Sequence, residues 1–77
     1  MEITLVLFGQ LVDITGTTHF SVEGITDTNA LMQYLHQQYP ALATTKYAIA
    51  VDKKIVRENT ALHNGTTVAL LPPFSGG

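Results

Sequence analysis

Residues 2–8 read EITLVLF, and in an extended chain they set Ile3, Leu5 and Leu7 on one side and Thr4, Val6 and Phe8 on the other. A strand apolar on both sides fits the interior of a sheet, or a sheet whose second face another protein covers, and periodicity alone leaves both open. Residues 66–71, TTVALL, have the same character and end at Pro72-Pro73, which remove the backbone donors a further strand would need. Between these two runs the period changes. Thr26 or Asp27 offers an N-cap oxygen, and Leu31, Leu35 and Tyr39 recur every four residues until Pro40, with Ala30 and Tyr34 widening the stripe. The spacing predicts one main helix lying across a sheet face. With that helix as crossover, the first and last strands are expected side by side at the sheet centre and parallel.

The remaining elements follow outward from this frame. Gly9 interrupts the first strand, and Gln10 to Thr15 hold Leu11 and Ile14 three apart before Gly16, the pattern of one helical turn stopped by a left-handed glycine. Residues 17–22, TTHFSV, alternate as a second strand antiparallel to the first, with Thr18, Phe20 and Val22 opposed to His19 and Ser21. Residues 47–51, YAIAV, form a strand, Asp52, Lys53 and Lys54 a polar turn, and Ile55-Val56 a short return. Residues 57–64 show no pattern, and His63-Asn64-Gly65 reads as a turn. The order strand, strand, helix, strand, strand, strand is that of an α+β roll, a β-grasp with a mixed sheet of about five strands. Residues 1–71 are expected to form the domain and 72–77 an extended tail.

At 77 residues and 8.3 kDa the chain has room for one domain only. Its 45% hydrophobic and 13% charged residues place it with globular chains, and the absence of cysteine excludes disulfides, thiolate metal sites and a cysteine nucleophile. A cytoplasmic setting is expected. The formal charge is −2, and the four basic residues, Lys46, Lys53, Lys54 and Arg57, share one short stretch, so nucleic acid is not the expected partner. No apolar run approaches the ~18 residues of a membrane span, and the opening Met-Glu-Ile-Thr lacks the basic flank of a secretory signal.

A self-contained active site is hard to assemble. His19, His36 and His63 lie on different elements without the spacings that bring two imidazoles to one ion, so no metal site is expected. Glu23, Asp27, Asp52 and Glu58 fall in loops or at element ends, where a carboxylate caps a helix or meets water. Ser75 lacks a nucleophile-elbow context, and the terminal glycines do not open a helix. What remains is the end of the chain, Leu71-Pro72-Pro73-Phe74-Ser75-Gly76-Gly77. Six residues beyond the last strand reach about 20 Å when extended, stiff at the prolines and free of side chains at the tip. Such an arm suits an acyl-transfer enzyme with a narrow channel, because no Cβ at Gly76 or Gly77 blocks the last carbonyl. The alternative is a frayed tail that merely ends in flexible residues, which Gly-Gly alone would favour and the rigid Pro-Pro-Phe disfavours. The carboxylate becomes reactive only as a mixed anhydride, which an ATP-dependent enzyme would make.

The tail resembles the Phe-Pro-Pro-Val-Ser/Thr-Gly-Gly ending of the MoaD/ThiS family of ubiquitin-like sulfur carriers, to which the small subunit of molybdopterin synthase belongs. Phe8-Gly9-Gln10-Leu11 through Ile14-Thr15-Gly16, Ala50-Val51-Asp52, and Leu62 through Gly65 with Val68-Ala69 extend the likeness over nearly the whole chain. The resemblance implies that Gly77 is adenylated by an E1-like adenylyltransferase and converted to a thiocarboxylate, with Gly76 giving access to the channel. It further implies that the tail enters a large subunit, in a heterotetramer of two small and two large subunits, and gives its sulfur to cyclic pyranopterin monophosphate. The chain itself would bind no cofactor, ATP being used by the activating partner, and would not be the catalyst. Phe8, Leu71, Pro72, Pro73, Phe74 and Ser75 are the expected partner-binding residues, although Phe8 also suits ordinary core packing. Sulfur transfer toward thiamine, cysteine or tRNA, and a ubiquitin-like modifier or binding module presenting Val6, Phe8 and Phe74, are the competing readings. Four departures stand out: Val12 where the family often has arginine, Thr66-Thr67 where it has an acidic pair, Phe74 for valine and Asp52 for asparagine. The first two remove charges that would meet partner enzymes.

Overall fold

The computed structural model describes residues 2–72, which fold into five strands, two α-helices and a 3-10 segment. In chain order these are β1 (Glu2–Leu7), α1 (Leu11–Thr15), β2 (His19–Glu23), α2 (Thr28–Gln38), the 3-10 segment Pro40–Thr44, β3 (Ala48–Val51), β4 (Lys54–Val56) and β5 (Thr67–Leu71). The sheet order is β2-β1-β5-β3-β4. β1 and β5 pair in parallel, Leu5 opposite Val68 and Leu7 opposite Leu70, and every other pairing is antiparallel. This is the mixed β-grasp sheet that the two apolar runs and the intervening helix demand. The division into a domain over 1–71 and a tail rests, beyond Pro72, on residues outside those described.

α2 begins where Asp27 Oδ1 accepts the Ala30 N–H at 2.8 Å, so the N-cap is Asp27 and not Thr26. Leu31 and Leu35 are fully buried against Ile3, Leu5, Val68 and Leu70, each contributing about 1.5–3 kcal/mol from burial. The expected stripe needs one correction. Ala30 packs against the core, but Tyr34 is 37% exposed, and Thr28 and Met32 complete the inward side in its place. Pro40 ends the α-helix by opening a 3-10 segment, a feature the four-residue spacing does not reveal. It brings Leu42 into the core at 1% exposure.

Residues 57–64, patternless in sequence, are held by hydrogen bonds to the start of α2. The Thr28 N–H donates to Thr60 O and the Thr60 N–H to Thr28 Oγ1, both at 2.9 Å, while Asn59 Oδ1 accepts the Asn29 N–H at 2.9 Å. Leu62 is thereby buried. The segment carries no period because side chains and single backbone bonds satisfy its polar groups, without a ladder.

The turn between β3 and β4 holds two residues rather than three. Val51 pairs with Lys54, and Asp52 and Lys53 take positive φ of 48° and 73°. Two positive φ values in a two-residue hairpin loop define the turn that Asn-Gly normally makes, and here both residues carry a Cβ. Asp52 is compensated: its N–H donates to Thr67 O at 2.9 Å and its Oδ1 accepts the Thr67 N–H at 3.2 Å. No hydrogen bond to the Lys53 side chain offsets the strain there among the described residues. Lys53→Gly is expected to stabilise the fold by about 0.5–1 kcal/mol, read as a higher denaturant midpoint with unchanged slope; a lower midpoint would count against this strain.

Candidate functional site

α2 covers one face of the sheet, and the register defines the other. A single row crosses all five strands through His19, Val6, Ala69, Ala50 and Ile55. Toward the end of β5 the next row holds Ala48 opposite Leu71. Alanine at 48, 50 and 69 keeps the middle of this face low, while Phe8 and Ile55 stand at its margins, 46% and 52% exposed. A shallow cleft of about 350 Å³ lies on it, lined by Val6, Phe8, Asp52, Lys53, Thr67 and Ala69. Of the two open readings of the EITLVLF strand, the structure shows the first: β1 is an interior strand, flanked by β2 and β5, and the side carrying Val6 and Phe8 faces away from α2.

Phe8, Leu71 and Pro72 are brought together where the parallel strands end. The Phe8 N–H donates to Leu70 O at 3.2 Å, so the chain leaving β1 runs beside the chain leaving β5. Leu71 and Pro72 are half-buried, and Phe8 is no core residue. The other residues expected at the site, Pro73, Phe74, Ser75, Gly76 and Gly77, lie outside the described residues. The three histidines sit apart, and among the described residues no three His, Asp or Glu side chains converge as a metal site would require. No helix among them is long and apolar enough to cross a membrane.

The ThiS family model matches residues 5–77. The chain belongs to the ThiS family of ubiquitin-like sulfur carriers. Among solved structures, this ThiS-family chain is similar to one in a complex of subunits 1 and 2 of the molybdopterin-converting factor from Helicobacter pylori. The two are 29% identical over the whole of both chains, with a TM-score of 0.75. It is also similar to the small archaeal modifier protein 1 of Methanosarcina acetivorans, at 23% identity over 99% of this chain and 96% of that one, TM-score 0.82. SAMP1 of Haloferax volcanii gives 21% identity over the whole of both chains and a TM-score of 0.80. The last two likenesses speak to the fold alone.

Ile55 and Lys53 join the open face of this ThiS-family domain without having been foreseen there. A three-residue turn over 52–54 would set Ile55 opposite Val51, on the core side; the observed two-residue turn sets it opposite Ala50, on the open side. One residue of register moves a side chain to the other face. The available signal was the pair Asp52-Lys53 alone, which lacks the glycine that usually marks such a loop.

A second concavity, of about 750 Å³, lies between α2 and the β3–β4 edge, and its lining includes Met32, His36, Tyr47 and Arg57. The Tyr47 hydroxyl and His36 Nε2 lie 2.8 Å apart and their rings meet edge to face at 79°. Burial pushes the Tyr47 hydroxyl above its ordinary value of 10.0. A raised value in the folded chain means a stabilisation fully present below pH 10 and lost as pH rises through the folded value. The stability difference between the protein and Tyr47→Phe is thus expected to be flat at neutral pH and to change against the unsubstituted chain in the alkaline range; parallel pH profiles would refute the assignment.

The open face carries its own expectation for stability. Leu5→Ala, on the covered side of β1, should cost roughly 2–5 kcal/mol, whereas Phe8→Ala should change stability by no more than about 1 kcal/mol. Equal losses in thermal or denaturant unfolding would mean that Phe8 serves the core after all.

Proposed function

We propose that this chain is the sulfur-carrying small subunit of a molybdopterin synthase, with the carbonyl carbon of Gly77 as its reactive atom. The observation that carries the reading is the ending Leu71-Pro72-Pro73-Phe74-Ser75-Gly76-Gly77 on a ThiS-family β-grasp domain. The full-length likeness to a chain found in a complex of molybdopterin-converting factor subunits supports it further. The domain's part is mechanical: β5 holds the root of the tail at the sheet centre and the open face beside it offers apolar surface for docking.

The Gly77 carboxylate attacks the α-phosphorus of ATP on an E1-like adenylyltransferase, forming an acyl-adenylate and releasing pyrophosphate. A sulfide-level sulfur then adds to the activated carbonyl and AMP leaves, which yields the thiocarboxylate. In the large subunit the thiocarboxylate sulfur passes to cyclic pyranopterin monophosphate and, after hydrolysis, the Gly77 carboxylate is regenerated. A dithiolene holds two sulfurs, so two carriers are consumed per product. The pocket and its acid and base groups belong to the large subunit. Phe8 and Leu71 of the domain, with Phe74 of the tail, are the apolar residues that would bury against it, and a reducing cytoplasm would suit the thiocarboxylate.

Incubation with the cognate adenylyltransferase, ATP and sulfide tests the reading by intact mass. Replacement of terminal oxygen by sulfur raises the mass by about 16 Da. Gly76→Trp is expected to abolish that species while leaving the circular dichroism unchanged. An undiminished yield in Gly76→Trp overturns the proposal, as does a native chain recovered only in isopeptide-linked adducts.

A further inference from the structure

We propose that Gly9 is a positioning residue for the sulfur-carrying tail: the absence of a Cβ at Gly9 lets the Pro72 ring seat against the backbone, and this contact sets the direction in which residues 73–77 leave the domain. The proposal rests on the function proposed above for what the tail delivers, and on the geometry at Gly9 for how it is aimed. A Cβ built on Gly9 would stand 2.7 Å from Pro72 Cγ, 3.6 Å from Cδ and 3.9 Å from Cβ. The first distance is shorter than real side-chain carbons adopt, and a pyrrolidine ring cannot swing aside as a flexible chain end would.

Gly9 itself has nowhere to retreat. Its carbonyl accepts the Val12 N–H at 3.2 Å, the Phe8 carbonyl accepts the Leu11 N–H at 3.2 Å, and Leu11 is fully buried at the start of α1. Just upstream, the Phe8 N–H is bonded to Leu70 O. On the other side of the contact, Leu71 is still in register with Ala48 of β3. Pro72 is therefore the first residue beyond the ladder, and Gly9 is the backbone it meets. Restoring ordinary contact from 2.7 Å to the 3.4–4 Å range requires about 1 Å of movement, and the residue with fewest restraints is Pro72.

Gly9 also has a positive φ of 58°, so any side chain there is strained irrespective of the contact. The molecule supplies its own control. Gly24 has φ of 78° with nothing within 4 Å of a built Cβ, so Gly24→Ala imposes comparable backbone strain without touching the tail. Pro72→Ala supplies the converse, since it keeps only the Cβ, 3.9 Å from the added methyl and in ordinary contact.

The chain has no cysteine, so a nitroxide on Ser75→Cys reports tail direction without interference. Paramagnetic broadening of the domain's amide signals is expected to keep its pattern in Gly24→Ala and to change in Gly9→Ala. In the Pro72→Ala background, adding Gly9→Ala should change nothing more. In unlabelled chains, kcat/KM for thiocarboxylate formation by the adenylyltransferase should fall roughly tenfold in Gly9→Ala relative to Gly24→Ala, and the deficit should shrink when Pro72→Ala is present in both. Identical broadening in Gly9→Ala and Gly24→Ala overturns the contact as a guide, and an altered pattern with undiminished kcat/KM overturns its role in delivery. If the unsubstituted chain is never sulfurated, the proposed function falls while the broadening patterns still decide whether Gly9 aims the tail.

Discussion

The parallel pairing of β1 with β5 is the constraint on which the rest of the molecule depends. Two parallel strands cannot be joined by a hairpin, so the chain between them has to leave the sheet, cross it and return. α2 provides that crossing, and its Leu31 and Leu35 close over Ile3, Leu5, Val68 and Leu70, all of them almost wholly removed from water. Parallel pairing also brings both C-terminal ends to the same margin of the sheet. The exit of the tail, the Phe8-Gly9 corner and the start of α1 are neighbours for that reason.

Once the helix covers one face, the other is left open. Its middle is built from alanines and its margins from Phe8 and Ile55, a flat surface bounded by large apolar side chains. Isolated exposed apolar residues are common, but Val6, Ala69 and Ile55 lie in one row across the sheet with Phe8 close by at the end of β1, a surface of the kind that partners bury. The Asp52-Lys53 turn, held in left-handed conformation and bonded to Thr67, fixes one corner of the same face. The Gly9 corner and Pro72 lie beside this face, where β1 and β5 end.

Much of this was present in the linear sequence. The two-sided apolar runs EITLVLF and TTVALL, and the four-residue recurrence from Leu31 to Tyr39, are local signals, so the order of elements, the crossover and the parallel central pair follow from them. The likeness of the Pro-Pro-Phe-Ser-Gly-Gly ending to sulfur carriers is equally local, since it depends on which side chains are absent from the last two positions. Tertiary structure decided the remainder. Whether Tyr34 or Met32 faces inward depends on the angle at which α2 lies on the sheet. Ile55 reached the open face because the hairpin turn closed over two residues. Leu42 and the 57–64 segment found their places through a 3-10 turn and through single hydrogen bonds to α2, neither of which leaves a period to read. That Gly9 faces Pro72 is a contact between residues 63 positions apart, created only when β1 and β5 align, and pattern along a chain carries no trace of such a distance.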